Sequence, residues 1–309
     1  MRSHILVLLL ASLPALGQVK ITQGTGRIDV EIDGKPYTSL FTEGATKPYL
    51  HPLRSATGRV VTRGYPMEMV EGETRDHPHH RGLWFTHGDV NGFDFWGENA
   101  KGKQGRVRLK KVGALKSGKK AGSIAAVFEW VDPQGTVLLT ENRKMTFRAA
   151  GALRIVDFDA TLTAVERAKF GDTKEGTFAV RLAEPLKEGK GGTGHMVNAE
   201  GAEGEKNVWG KRSPWVDYTG QLDGETIGIA IFDHPSNLKH PTYWHARAYG
   251  LFAANPFGEH DFYGDKARDG SVTLEAGQSQ RFRYRVVIHP GDNKAAGIAG
   301  MYAKYAAEK

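Results

Sequence analysis

The chain has 309 residues, 39% of them hydrophobic, with six tryptophans and a formal net charge of +7, so it can bury a substantial core. It has no cysteine, which excludes disulfides, thiolate nucleophiles and Cys-held metals and leaves His, Asp and Glu as metal donors. The basic residues are spread except at Lys101 to Lys120, where no aromatic residue intervenes, so a nucleic-acid partner is not expected.

The first element, "MRSHILVLLLASLPALGQ", has Arg2, an apolar run from Ile5 to Leu10 and small residues at Ala15 and Gly17. This is the pattern of a secretory signal over residues 1–17, with a mature chain starting at Gln18 and a secreted or periplasmic location. Neither this run nor any later one reaches the ~20 apolar residues of a membrane span, so no membrane insertion is expected. Residues 18–309 read as a single domain.

Strand signals then dominate. "VKITQGTGRIDVEIDGKPYTSLFTE" alternates around an Asp33-Gly34 turn. Further strands are expected at 105–117, 121–132, 135–149 and 151–165, joined by connections short enough for hairpins. In the last of them Val156, Phe158, Ala160 and Leu162 share one face. The lysine-rich stretch reads as an exposed edge strand and loop. Strands resume through "TIGIAIFD", "YWHARAYGLFAA" and "RFRYRVVIH", and only Gly297 to Ala307 has helical character. The expected fold is all-β, a large antiparallel sandwich with a short C-terminal helix.

The candidate site is "RDHPHHRGLWFTHGDVNGFDFWGE", residues 75–98, which holds four of the twelve histidines. His77 and His79 flank Pro78, whose ring favours extended backbone before it and would set both imidazoles on one face. That spacing suits an acid/base pair or two metal ligands. His80, Arg81, Trp84 and His87 complete the cluster as candidate ligand-binding groups. Loop histidines satisfied by backbone and by Asp76 are the alternative.

His-Pro occurs five times, at 51, 77, 234, 240 and 289, where random placement gives about half of one pair. "DHP" recurs at Asp76 and Asp233, which predicts that His77 and His234 lie close together. Glu175, just before an alternating strand, is a candidate base, although a lone glutamate before a strand is more often simply solvated. His245 and Arg247 alternate on one strand and can face a polar ligand, and Trp84 and Trp244 can stack on a sugar or fill the core.

The run "GYPMEMVEGETRDHPHHRGLWFTHGDVNGFDFWGE", with "DTKEGTF", "WVDYTG" and "FDHPSNLKHPTYWHARAYGLFAANPFG", resembles the bacterial family called methane oxygenase PmoA. The resemblance implies an exported β protein with a galactose-mutarotase-like supersandwich. It also implies a carbohydrate or sugar-derivative ligand, and a sugar oxidoreductase of the Gfo/Idh/MocA type in the same pathway. Mutarotase-type sites hold a sugar between a histidine acid and a carboxylate base. Carried onto this chain, His77, His79 or His234 is the acid and Glu175 the base. Arg81 and Arg247 orient hydroxyl or carboxylate groups, and a tryptophan supplies the stacking face.

Three functions remain open from the sequence. One is a carbohydrate isomerase, epimerase or lyase that needs no cofactor. Another is a non-catalytic carbohydrate-binding protein. The third is an oxygenase with a divalent metal on His77, His79 and a third group, as the family name implies.

Overall fold

A computed structural model describes residues 17–309, so the signal segment, residues 1–16 of it, lies outside the described residues. In chain order the strands begin with β1 (Val19–Gln23), β2 (Arg27–Ile32), β3 (Lys35–Phe41), β4 (Tyr49–His51) and β5 (Leu83–His87). Four long ones follow, β6 (Arg106–Lys116), β7 (Gly122–Val131), β8 (Val137–Ala150) and β9 (Leu153–Ala164), then short β10 (Ala168–Phe170), β11 (Gly176–Arg181) and β12 (His195–Asn198). After helix α1 (Glu205–Val208) come β13 (Trp215–Leu222), β14 (Glu225–Asp233), β15 (Tyr243–Arg247) and β16 (Leu251–Asn255). Helix α2 (Glu259–Tyr263), β17 (Val272–Leu274), β18 (Ser279–Pro290) and helix α3 (Ile298–Ala306) close the chain.

Two eight-stranded antiparallel sheets face each other. The first runs β1-β2-β3-β4-β5-β11-β16-β15 and the second β12-β13-β14-β18-β9-β8-β7-β6. The four long strands fall within two residues of their expected limits because period-2 alternation and short turns leave little freedom of register. Asp33 and Gly34 both have positive φ, as the tight turn between β2 and β3 requires. The lysine-rich β6 is an edge strand of the second sheet, with most of its side chains turned to solvent.

Alternation also decides what fills the sandwich. Val156, Phe158, Ala160 and Leu162 are buried between the sheets, as their shared face predicts. Phe85 meets Phe158 at 5.1 Å between ring centres, and Phe178 stacks on Tyr284 at 4.6 Å. Helix α3 covers the outer face of the second sheet, where Ile298 and Tyr305 pack with Phe232 and Val287. The outer face of the first sheet has no helix of that length on it. There Trp96 and Met67 pack over Tyr49, Trp84, Ala179 and Ala253. Among the described residues no helix is long and apolar enough to cross a membrane.

Candidate functional site

On the outer face of the first sheet, register aligns Tyr49 with Trp84, Trp84 with Ala179, Ala179 with Ala253, and Ala253 with His245. The two alanines leave room between Trp84 and His245 that bulkier side chains would fill. Above this row lies a cleft of about 530 Å³, lined by His77, His79, His80, Trp96, Lys174, Glu175, His245, Arg247 and Tyr249, among others.

His77 does not adopt the extended backbone expected before Pro78. Its φ is +44°, and residues 77–80 form a tight turn closed by the His80 N–H donating to the His77 carbonyl at 3.0 Å. That carbonyl also accepts from Arg63 Nη2 at 3.0 Å, so tertiary hydrogen bonds hold the conformation against the local preference. The consequence is a stack and not a strand face. The rings of His77, His80 and Tyr249 lie nearly parallel, His77 4.7 Å from His80 and 5.1 Å from Tyr249 and these two 6.4 Å apart, while His79 stands edge-on to both His77 and His80.

Asp76 anchors this turn. Its carboxylate accepts from His77 Nδ1 at 2.7 Å and from Arg181 Nη2 at 2.8 Å, and it also pairs with Arg63. Burial alone would raise the Asp76 pKa, but Arg181, the His77 hydrogen bond and Arg63 outweigh it and hold the carboxyl down at about 2. Both arginine side chains are almost fully buried. His77 is thereby oriented by an anion, with Nε2 left for another partner.

The other imidazoles are kept neutral by burial. His79 is pushed down to about 4, first by burial and then by Lys47 and His77. His80 lies well below its usual range, and His245 is pushed down to about 3, chiefly by burial and then by Arg247 and Lys174. Their hydrogen bonds fix the tautomers. Arg181 donates to His80 Nδ1 at 3.3 Å, which leaves His80 Nε2 carrying the proton. His245 donates Nδ1–H to the Lys174 carbonyl at 2.9 Å, which leaves its Nε2 an acceptor. Opposite them, burial raises the Glu175 pKa, and the Lys174 ammonium 3.4 Å away only partly offsets this. The site thus combines uncharged donors and acceptors with one oriented imidazole and one carboxyl of raised pKa.

Of the residues singled out in the sequence, His77, His79, His80, Glu175, His245 and Arg247 meet in this cleft. Others are elsewhere. Trp84 is on the right face but buried beneath the site, stacked under His80 at 5.3 Å. Arg81 donates two 2.8 Å hydrogen bonds to Glu98 and lines a neighbouring cleft. His87 and Trp244 sit at inward positions of their strands. His87 donates to the Gly171 carbonyl and packs on Phe257, and Trp244 donates to the Ser213 carbonyl within the core. Neither lines the cleft.

His234 is also excluded, and the two Asp-His-Pro segments do not form one site. His234 bonds the Glu308 carbonyl at 2.9 Å and packs on Tyr305 of α3, outside the second sheet, so the sandwich separates it from His77. The sequence signals missed Tyr249, Arg181 and Arg63. Tyr249 belongs to the turn that splits "YWHARAYGLFAA" into β15 and β16, where positive φ at Gly250 was the available sign. The arginines gave no local signal because their partner, Asp76, is distant in the chain.

Among the described residues no three His, Asp or Glu side chains are grouped to hold a metal ion, so His77 and His79 have no third donor beside them.

A family profile described as "Family of unknown function (DUF6807)" matches residues 27–303. The chain belongs to this family. No curated protein matches its sequence. Among solved structures, it is similar to a GH36 alpha-galactosidase, AgaA, from Geobacillus stearothermophilus, at 12% identity and TM-score 0.40. That match covers 89% of this chain and 40% of the galactosidase, so the chain spans well under half of that enzyme. It is also similar to a galactose 1-epimerase from Lactobacillus acidophilus, at 7% identity and TM-score 0.41, covering 90% of this chain and all of the epimerase. A galactose mutarotase related enzyme from Lactobacillus acidophilus matches at 8% identity and TM-score 0.37, over 88% of this chain and 97% of that one.

Proposed function

We propose that this DUF6807 member is a carbohydrate-active acid/base enzyme that opens and recloses the ring of a sugar or sugar derivative. The reading rests on one observation, the Asp76-oriented His77 sharing a cleft with Glu175, whose carboxyl is raised by burial. His77, protonated at Nε2, gives its proton to the ring oxygen while Glu175 takes the proton of the anomeric hydroxyl. The bond between anomeric carbon and ring oxygen breaks, leaving an open-chain carbonyl. Reclosure on the other face returns both protons. His80 and His245, as neutral donor and acceptor, suit the remaining hydroxyls, and Arg247 and Lys174 suit an oxidised or acidic substituent.

The test is exchange NMR of anomer interconversion across a panel of aldoses and uronic acids. Wild type should accelerate at least one sugar, and His77→Ala and Glu175→Gln should each lose about 10²–10⁴-fold of that rate. Binding without acceleration would leave a carbohydrate-binding protein in place of an enzyme. Unchanged turnover in both variants would remove these residues from the chemistry.

A further inference from the structure

A second cleft, of about 620 Å³, opens on the outer face of the first sheet over β2, β3 and β4, and the acid/base chemistry makes no use of it. One side is an aromatic platform. Half-buried Phe41 stacks on Tyr49 with ring centres 5.0 Å apart and planes 11° apart. Met67 and Pro66 lie beside it.

At the base is His51, from the first His-Pro pair. Its side chain is 2% exposed, it lines the cleft, and its Nε2 makes no hydrogen bond among the described residues, the Glu68 carboxylate lying 3.7 Å away. The Thr62 hydroxyl accepts from the Leu53 N–H, so its own proton is free for His51 Nδ1, 3.4 Å away. That assignment puts the ring hydrogen on Nε2, a buried donor facing the cleft. Burial, then Arg54, pushes the His51 pKa down to about 4, so the donor is uncharged at neutral pH. Leaving such a group buried and unmatched is costly, and a ligand would satisfy it.

Most charged groups around the cleft are already engaged, and the Glu68 carboxylate stands beside the neutral His51. Arg27 pairs with Asp29 at 3.1 Å, Lys20 with Glu31 at 3.0 Å, and Arg81 with Glu98, while Arg54 donates to the Gly58 carbonyl. A charged ligand would have to compete with these pairs. A neutral polyol needs only the stacking face and the uncharged His51 donor.

We infer that this cleft is a second saccharide site, taking a neutral hexopyranose unit stacked on Phe41 and hydrogen-bonded to His51 Nε2. It holds sugar without transforming it, since the buried His51 stays uncharged at neutral pH and supplies no acid to the Glu68 carboxylate beside it, and its occupancy is independent of the His77 cleft.

The experiment uses the methyl resonances of [methyl-13C]methionine in the full mature chain. Met67 lines the cleft, while Met145 and Met196 are buried in the core and report folding. Glucose, galactose, mannose, cellotetraose, maltotetraose and glucuronate are titrated in turn. At least one neutral sugar should shift the Met67 methyl saturably. His51→Ala and Phe41→Leu should each weaken that binding about tenfold, with the Met145 and Met196 methyls in place. His77→Ala should leave it intact. The inference is overturned if no neutral sugar moves Met67, if either variant with an intact core binds as wild type, if glucuronate binds more tightly than glucose, or if His77→Ala abolishes the shift.

Discussion

Asp76 and His77 are joined by a 2.7 Å hydrogen bond, and the same tripeptide elsewhere is wired differently. In the second segment Asp233 accepts from His240 Nδ1 at 2.7 Å and from the Thr242 N–H, while His234 turns to the C-terminus. Only the first carboxylate orients its own histidine, because Arg63 and Arg181 fix its position from two other parts of the chain.

Asp76→Asn should therefore lower kcat more than it changes KM, since it leaves His77 in place without its anionic partner. It also leaves two buried guanidinium groups without a carboxylate. Chemical denaturation should show a loss of about 1–3 kcal/mol, below that of a fully buried pair because Asp76 is more than a third exposed. The Asp76 carboxyl titrates lower in the folded state, at about 2, than its ordinary 3.8. Its stabilisation is thus complete above the ordinary value and lost as pH falls toward 2. The variant should lack that part of the acid-unfolding slope.

The buried histidines set a second, higher window. His87 and His79 are held at about 4 and His245 at about 3, against an ordinary 6.5. Each contributes stability above pH 6.5 that fades as pH falls through its folded value, because the unfolded chain takes up the protons first. Denaturation midpoints should fall between pH 7 and pH 4.5. His87→Gln, at a fully buried position, should flatten the decline while lowering stability at pH 7.

Glu175 should govern the acid limb of activity. As a base it works ionised, and burial raises its pKa above the 4.5 of an ordinary glutamate, so kcat/KM should fall on acidification with a midpoint above that value. Glu175→Gln should remove the limb along with most of the rate. A limb that survives the substitution would assign it to another group.

Gly82 is the backbone position on which the site depends. Its φ is +53°, and an added Cβ would sit 2.1 Å from the Leu50 carbonyl oxygen of β4. Gly82→Ala should cost more than about 2 kcal/mol, as strain and clash combine. Gly92, with φ of +83° and open space around it, is the control, and Gly92→Ala should cost only about 1 kcal/mol. Thermal unfolding of the two variants provides the comparison.

The fold class, the long strands from β6 to β9 and helix α3 were determined by the sequence itself, because they rest on local periodicity and turn chemistry that act over a few residues. So was the pairing of His245 with Arg247 on one strand face. Tertiary structure decided which face met solvent, and so turned Trp244 and His87 into the core while His245 lined the cleft. It also decided the turn at His77, where hydrogen bonds from Arg63 override the extended preference of a residue before proline. It separated His234 from His77 because the two Asp-His-Pro segments end up on opposite outer faces of the sandwich, a matter of strand order that no local pattern encodes.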